Sequence, residues 1–190
     1  MISFYPPRED SRLLLPFARV PSGVRLLDVG TGSGLLALEA ARSGARVVAT
    51  DRNPFALARL RRLAAAERLD VQPVRTDLAR GLGRFDRVLA NPPYLPTRPE
   101  ERDPDRWHNL ALDGGPDGLA TTARLIAELP QHLAPGGRGF LLVSSLQDPE
   151  GLARLRADWP RGGAVRTVAE RRLEGEVLAV WELALAPGPV

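Results

Sequence analysis

The sequence contains no cysteine and no lysine, and these absences set the first limits on what the chain can be. Without cysteine, the 190 residues form no disulfide, use no thiol chemistry and build no cysteine-based zinc site. All 26 basic residues are arginine, and they alternate along the chain with 23 acidic residues, so that the net charge is only +3. A dedicated nucleic-acid binder more often clusters its basic residues, so we interpret the arginines as a coding bias.

Long apolar runs and metal-binding side chains are also scarce. The longest apolar stretches are far shorter than the roughly 20 residues that cross a membrane, and the charged stretch at residues 8–12 replaces the apolar segment of a signal peptide. Only His108 and His132 offer imidazole ligands, too few for most metal centres. We therefore expect a soluble cytoplasmic protein with no metal and no membrane partner. Its length suits one domain, residues 1–190.

Short apolar runs alternate with helical patterns along the chain. The predicted strands are Arg25–Val29, Val47–Thr50, Val71–Arg75, Arg87–Ala90, Phe140–Val143, Ala164–Ala169 and Val177–Leu185. Apolar stripes at helical spacing begin at Leu35, Leu57 and Leu119. Continuous apolar runs are typical of parallel strands that are covered on both faces. The sequence predicts an α/β fold with a doubly wound, seven-stranded, mostly parallel sheet whose C-terminal strand is antiparallel.

Two stretches interrupt this pattern. Leu95–Asp117 is rich in proline and charge and is predicted to be a loop on the substrate side, because long loops in compact domains are usually functional. A floppy connection is the alternative. Ala134-Pro-Gly-Gly137 is predicted to separate the helix that begins at Leu119 from the strand at Phe140.

The motif Asp28-Val-Gly-Thr-Gly-Ser-Gly34 closes the first predicted strand. Glycines at a strand-to-helix turn allow the backbone to approach a ligand closely, and Asp51, 21 residues after Gly30, can accept hydrogen bonds from ribose hydroxyls. Asp77 and Leu78 follow the third strand and can contact an adenine edge. A purely structural turn is the alternative. The predicted cofactor-binding residues are Asp28, Gly30, Thr31, Gly32, Gly34, Asp51, Arg52, Asp77 and Leu78.

The tetrapeptide Asn91-Pro-Pro-Tyr94 follows another predicted strand. An amide or aromatic amine nitrogen is a poor nucleophile, because its lone pair is delocalised. The Asn91 side-chain oxygen and the Pro92 carbonyl can accept hydrogen bonds from the N–H groups of this nitrogen. The two prolines hold the segment rigid. Tyr94 offers a flat face to a planar group. We predict Asn91, Pro92 and Tyr94 as catalytic residues that bind the substrate together with Pro93. An ordinary Pro-Pro turn is the alternative.

The glycine motif resembles the first motif of Rossmann-like class I S-adenosylmethionine-dependent methyltransferases. Together with the tetrapeptide, it resembles the HemK-type protein glutamine methyltransferases, which modify the glutamine of the GGQ loop in translation release factors. Phe4–Ser11 and the closing Arg171–Leu183 hairpin are similar to the small single-domain branch of that family, whereas Ala111–Leu119 is similar to the longer bacterial branch.

This resemblance implies S-adenosyl-L-methionine as cofactor and methyl transfer to the amide nitrogen of a protein glutamine, with a release factor as substrate. It places residues 1–20 over the site. Asp10, Ser11 and Asn91 are then further cofactor-binding residues, and Tyr5 and Pro6 are further substrate-binding residues. Capping of the first helix is the alternative for Asp10 or Ser11.

Three questions stay open at the level of sequence. In part of the family a small zinc-binding activator subunit covers one edge of the sheet, and the short third strand with Pro73 leaves the need for it undecided. N-methylation of an adenine or cytosine amino group in RNA or DNA is the alternative function, because the same tetrapeptide serves both reactions. A catalytically silent cofactor-binding subunit is a third hypothesis.

Overall fold

The structure, a computed structural model, describes residues 7–186. Its helices are α1 (Glu9–Ala18), α2 (Leu35–Arg42), α3 (Pro54–Ala66), α4 (Arg106–Leu112), α5 (Ala120–His132) and α6 (Pro149–Ala157). Its strands are β1 (Arg25–Val29), β2 (Arg46–Asp51), β3 (Val71–Arg75), β4 (Phe85–Ala90), β5 (Leu133–Ser144), β6 (Ala164–Leu173) and β7 (Glu176–Ala184). No helix in the described range is both long and apolar enough to cross a membrane.

The strands form one sheet in the order β3-β2-β1-β4-β5-β7-β6. The pairs from β3 to β5 are all parallel, whereas β7 runs antiparallel to both β5 and β6. The predicted seven-stranded, mostly parallel sheet with an antiparallel C-terminal strand is confirmed. The chain order reverses between β1 and β4, so their carboxyl ends open a crevice where ligands bind in folds of this kind.

Two apolar layers cover the sheet, as the continuous apolar runs predict. Neighbouring residues of β1 face opposite layers: Leu26 packs with α1, α2 and α3, whereas Leu27 packs with α5. The predicted stripe that begins at Leu119 is buried along α5. At the start of α3, the side chain of Asn53 accepts a hydrogen bond from the backbone N–H of Phe55, and Pro54 occupies the first helical position.

The predicted break at Ala134–Gly137 is wrong, because β5 begins at Leu133 and runs through it. Leu133 pairs with Phe85, and the register then shifts before Arg87 pairs with Arg138. Gly137 makes this irregularity possible: a Cβ there would lie 2.9 Å from the carbonyl oxygens of both Ala134 and Phe85. Pairing with β4 therefore overrides the local turn signal.

The stretch Leu95–Asp117 is more ordered than a loop. It contains a short 3₁₀ helix at Pro99–Glu101 and the whole of α4. The Asp105 carboxylate caps α4 by accepting a hydrogen bond from the Trp107 backbone N–H, at 2.9 Å. The prediction of an irregular loop is therefore wrong for Pro99–Glu101 and for α4, which are helical.

Candidate active site

One cavity of about 710 Å³ opens at the carboxyl ends of β1, β2 and β4. It lies at the reversal of strand order, where each strand delivers its first loop residues to the same crevice. The predicted site residues that line it are Asp10, Ser11, Asp28, Gly30, Thr31, Gly32, Asp51, Arg52, Asp77, Leu78, Asn91, Pro92, Pro93 and Tyr94. The tertiary structure thus brings together side chains from five separate stretches of sequence.

Asp51 joins the glycine turn to the start of α3. One carboxylate oxygen accepts the backbone N–H of Gly32 at 2.9 Å, and the other accepts that of Asn53 at 2.8 Å. Burial raises the pKa of Asp51, although these backbone donors oppose the shift. The carboxylate is therefore fixed in orientation at the cavity wall, where it can accept hydrogen bonds from a polar ligand.

Asp28 lies beneath the same turn and is almost fully buried. It accepts a hydrogen bond from the Thr31 hydroxyl at 2.7 Å. Burial raises its pKa to about 6, because a charged carboxylate is poorly solvated there. Asp28 thus holds the glycine turn in shape from below.

Gly34 is the one predicted cofactor residue in the described chain that does not line the cavity. It is the N-cap of α2, with a φ of +83° that glycine adopts without strain. A Cβ there would lie 2.9 Å from the Leu60 side chain. The structure gives Gly34 a packing role between α2 and α3.

Asp77 and Leu78 line the cavity just beyond β3. The Arg124 guanidinium on α5 donates a hydrogen bond to the Asp77 carboxylate at 2.7 Å and thereby lowers the pKa of Asp77. Sequence reasoning missed Arg124, which is 47 residues away from its partner and carries no motif.

Asn91 faces the cavity with one half of its amide engaged. Its Nδ2 donates to the Ser11 hydroxyl at 3.2 Å, whereas its buried Oδ1 has no hydrogen-bond partner among residues 7–186. A buried acceptor without a partner is unfavourable unless a ligand satisfies it. An N–H group of a ligand that reaches this oxygen would satisfy it.

Asp10 and Ser11 lie within the first turn of α1, and the capping alternative for them is wrong. The N-cap residue is Arg8, and its side chain makes no capping hydrogen bond. The Ser11 backbone N–H and hydroxyl both donate to the Asp10 carboxylate, which fixes the hydroxyl that meets Asn91. Tyr5 and Pro6, predicted to bind substrate, lie outside the described residues.

The segment after the tetrapeptide folds back over it. The Leu95 backbone N–H donates to the Leu112 carbonyl at 3.1 Å, and Leu95 accepts from the Gly114 N–H at 2.9 Å. The Asp113 carboxylate accepts from the Arg102 guanidinium at 2.7 Å and from the Gly115 N–H at 2.8 Å. Asp113 therefore forms a turn and also belongs to the wall over Asn91–Tyr94.

The C-terminal hairpin supplies wall residues that sequence reasoning missed. Leu173, Glu176 and Leu178 line the cavity, and the Ser144 hydroxyl donates to the Glu176 carboxylate at 2.6 Å. Because β7 is antiparallel, its first residues lie at the same edge of the sheet as the last residues of β5. The resemblance marked the hairpin, but only the strand direction identifies these positions.

A model of the methyltransferase small domain matches residues 9–110, more than half of the chain. The chain belongs to that family. A protein of Methanocaldococcus jannaschii that bears the name putative protein N5-glutamine methyltransferase is 36% identical over 94% of this chain and 92% of its own length. The release factor glutamine methyltransferase of Deinococcus radiodurans is 44% identical over 80% of this chain. The predicted HemK-type resemblance is confirmed.

A solved structure is similar over nearly the whole methyltransferase. One chain of the E. cuniculi Mtq2-Trm112 complex, described as responsible for methylation of the eRF1 translation termination factor, is 27% identical with a TM-score of 0.73. The match covers 97% of this chain and 99% of that one. By contrast, this chain spans only 59–63% of the length of three bacterial release factor glutamine methyltransferases.

Proposed function

We propose that this chain transfers a methyl group from S-adenosyl-L-methionine to the side-chain amide nitrogen of a protein glutamine. The observation that carries the proposal is the buried Oδ1 of Asn91, a residue of the cavity wall, which has no hydrogen-bond partner in the described part of the chain. Its amide is held by Ser11, so the oxygen is presented to the ligand in a fixed orientation. A primary amide has two N–H groups, one of which would satisfy it.

The residues at the glycine turn fit S-adenosylmethionine. The cavity volume falls within the range of about 300–1,000 Å³ that is common for small-molecule pockets. Asp51 would accept hydrogen bonds from the ribose hydroxyls. Thr50, which also lines the cavity, has a buried hydroxyl that lacks a hydrogen-bond partner among the residues described. Asp10, Asp28, Thr31, Arg52, Asp77 and Leu78 would complete this half. When bound, S-adenosylmethionine supplies an electrophilic methyl group.

The chain's own residues would position the acceptor nitrogen. Asn91 Oδ1 and the Pro92 carbonyl would each accept a hydrogen bond from one N–H group of the acceptor nitrogen. The lone pair of that nitrogen would then point away from both oxygens. Tyr94 would pack its ring against the amide plane, and Pro92 and Pro93 would keep these groups rigid. Orientation of this kind supplies a large part of the rate in reactions without a covalent intermediate.

We further propose that the acceptor is a translation release factor, on the strength of the relatives' names. Within the single domain 1–190, residues 1–20 would lie over the cofactor and substrate site, and residues 95–117 would form the loop on the substrate side. A small zinc-binding activator is a candidate partner, because the similar E. cuniculi chain is part of a two-protein complex. The free edge of β3 would accept such a partner by strand addition, although Pro73 lacks an N–H donor.

The decisive experiment is mass spectrometry of a purified GGQ-containing release factor after incubation with this chain and S-adenosylmethionine. We expect one added methyl on the GGQ glutamine and none on a release factor with that glutamine replaced by alanine. Parallel reactions with and without a small activator protein would test the need for a partner. No methylation in either reaction would contradict the release factor as substrate, and transfer to RNA or DNA instead would establish the alternative function.

A further inference from the structure

The helix α4 spans the mouth of the cavity. Arg106, Trp107 and the range Asn109–Leu112 line the cavity, whereas His108 does not. No residue of α4 is buried, so the helix is not held by a core of its own. The contacts at its two ends therefore determine where it lies.

The C-terminal end of α4 is joined to the acceptor half of the cavity, which is the part around Asn91–Tyr94. The Leu112 carbonyl accepts from the Leu95 backbone N–H, and Leu95 directly follows Tyr94. The neighbouring Asp113 forms a β-bridge with Leu95. This end of α4 is thus bonded to the residue that follows the tetrapeptide.

The N-terminal end of α4 is joined to the cofactor half of the cavity, which is the part around Asp51 and the glycine turn. The Trp107 ring packs edge-on against Phe55, with ring centroids 6.0 Å apart and planes at 87°. Phe55 lies in the first turn of α3, two residues after Asn53, which binds the Asp51 carboxylate. On its other side, the Arg106 guanidinium lies 4.2 Å from the Trp107 ring centroid.

Phe55 is 53% exposed, the largest exposed fraction among the large apolar side chains described. Phe55 lies outside the cavity wall, whereas the half-buried Trp107 that it contacts is part of that wall, as is Asp51. Flat aromatic rings suit the flat faces of a nucleoside base. The geometry therefore favours contact between Trp107 and the ligand held by Asp51.

We propose that Trp107 is a cofactor-contacting residue, which covers the adenosine of S-adenosylmethionine and is held in place by Phe55. The inference rests on the proposed cofactor and adds a residue that lies far from the glycine turn in sequence. Through Leu112 and Leu95, the same helix links an occupied cofactor site to the tetrapeptide that binds the acceptor.

The test measures binding of S-adenosylhomocysteine by calorimetry, which requires no acceptor. We expect Trp107→Ala to raise Kd roughly tenfold, the effect of losing one aromatic contact, and Trp107→Phe to raise it much less. His108→Ala is the matched control: it lies on the same helix but outside the cavity wall, and it should bind as the wild type does. Losses from Phe55→Ala and Trp107→Ala should be less than additive, because the two rings touch.

Fluorescence provides a second readout. Trp159 and Trp181 are buried in the apolar layer with α5, so Trp107 is the tryptophan expected to respond to the ligand. The emission change on titration should disappear in Trp107→Phe. If the wild type binds the ligand and Trp107→Ala binds it equally well, the inference is wrong. If the wild type does not bind, the proposed cofactor itself is wrong.

Discussion

The proposed function assigns Asn91 to the acceptor and Asp51 to the cofactor. Asn91 is held by Ser11 from α1, on the side of the cavity proposed for the acceptor. Asp51 is held by two backbone N–H groups, at the glycine turn. Because different neighbours orient the two side chains, their substitutions should have separable effects.

We predict that Asn91→Ala lowers the rate of methyl transfer by about 10²-fold or more, the scale of removing one preorganised hydrogen-bonding group, while cofactor affinity stays within about twofold. Asp51→Ala should instead weaken cofactor binding. Single-turnover rates and calorimetry with S-adenosylhomocysteine measure the two effects. An equal loss of cofactor affinity in both variants would refute this division of roles.

Asp28 predicts a pH dependence of stability. Its pKa of about 6 in the folded state exceeds the ordinary 3.8, so the folded protein binds more protons between these values. The contribution of Asp28 to stability is therefore largest below about pH 4 and falls as the pH rises to about 6, by at most about 3 kcal/mol.

Asp28→Asn should remove this dependence. Urea unfolding of the unliganded protein at a series of pH values should show the wild type losing stability relative to Asp28→Asn between about pH 4 and 6. The comparison cancels the carboxylates that do not interact with Asp28, whereas Asp51, whose pKa is also raised, loses its electrostatic interaction with Asp28 in the variant. A constant difference between the two proteins across this range would show that Asp28 does not titrate there.

At the scale of elements, Gly118 couples the turn before α5 to the tetrapeptide. Its φ is +74°, and a Cβ there would overlap the Tyr94 carbonyl oxygen. Its own carbonyl accepts a hydrogen bond at 2.8 Å from the buried Gln147 side chain, which restricts movement away from Tyr94. The position of Tyr94 thus depends on the absence of a side chain at residue 118.

We predict that Gly118→Ala destabilises the fold by about 1–3 kcal/mol and lowers methyl transfer more than cofactor affinity, because it displaces Tyr94. Gly81→Ala is the matched control, with a φ of +80° but no atom within 4 Å of its added Cβ. Urea unfolding and single-turnover rates of both variants separate the clash from backbone strain. Equal effects in the two variants would exclude the clash as the cause.

At the scale of the whole molecule, the cavity joins both apolar layers of the fold. It is bordered by α1, α2 and α3 from one layer and by Arg124 and Leu125 of α5 from the other. A ligand bound there would contact elements of both layers. Ligand binding should therefore stabilise the whole protein against unfolding.

We predict that S-adenosylhomocysteine at 100 times its Kd raises the free energy of unfolding by about 2.7 kcal/mol, and that Asp51→Ala shows less stabilisation at the same ligand concentration. Thermal and urea unfolding with and without ligand measure this. Stabilisation of only one of two separate unfolding transitions would contradict a single cooperative domain.

The sequence predicted the fold well because a parallel sheet leaves strong local signals. Buried strands such as Arg25–Val29 are largely continuous apolar runs. The helix α3 begins at Asn53-Pro54, a local sequence that is typical of a helix N-terminus. The break at Ala134–Gly137 and the loop at Leu95–Asp117 were mispredicted in part. In both places, contacts with distant residues outweigh the local turn and loop preferences.

The sequence by itself determined the succession of strands and helices along the chain, the glycine turn and the Asn-Pro-Pro-Tyr segment, because these depend on the conformations of consecutive residues. Only the tertiary structure decided that Ser11 orients Asn91, that Arg124 pairs with Asp77 and that Glu176 borders the cavity. These contacts join residues that are far apart in sequence. They depend on strand order, strand direction and packing, which short-range patterns do not encode.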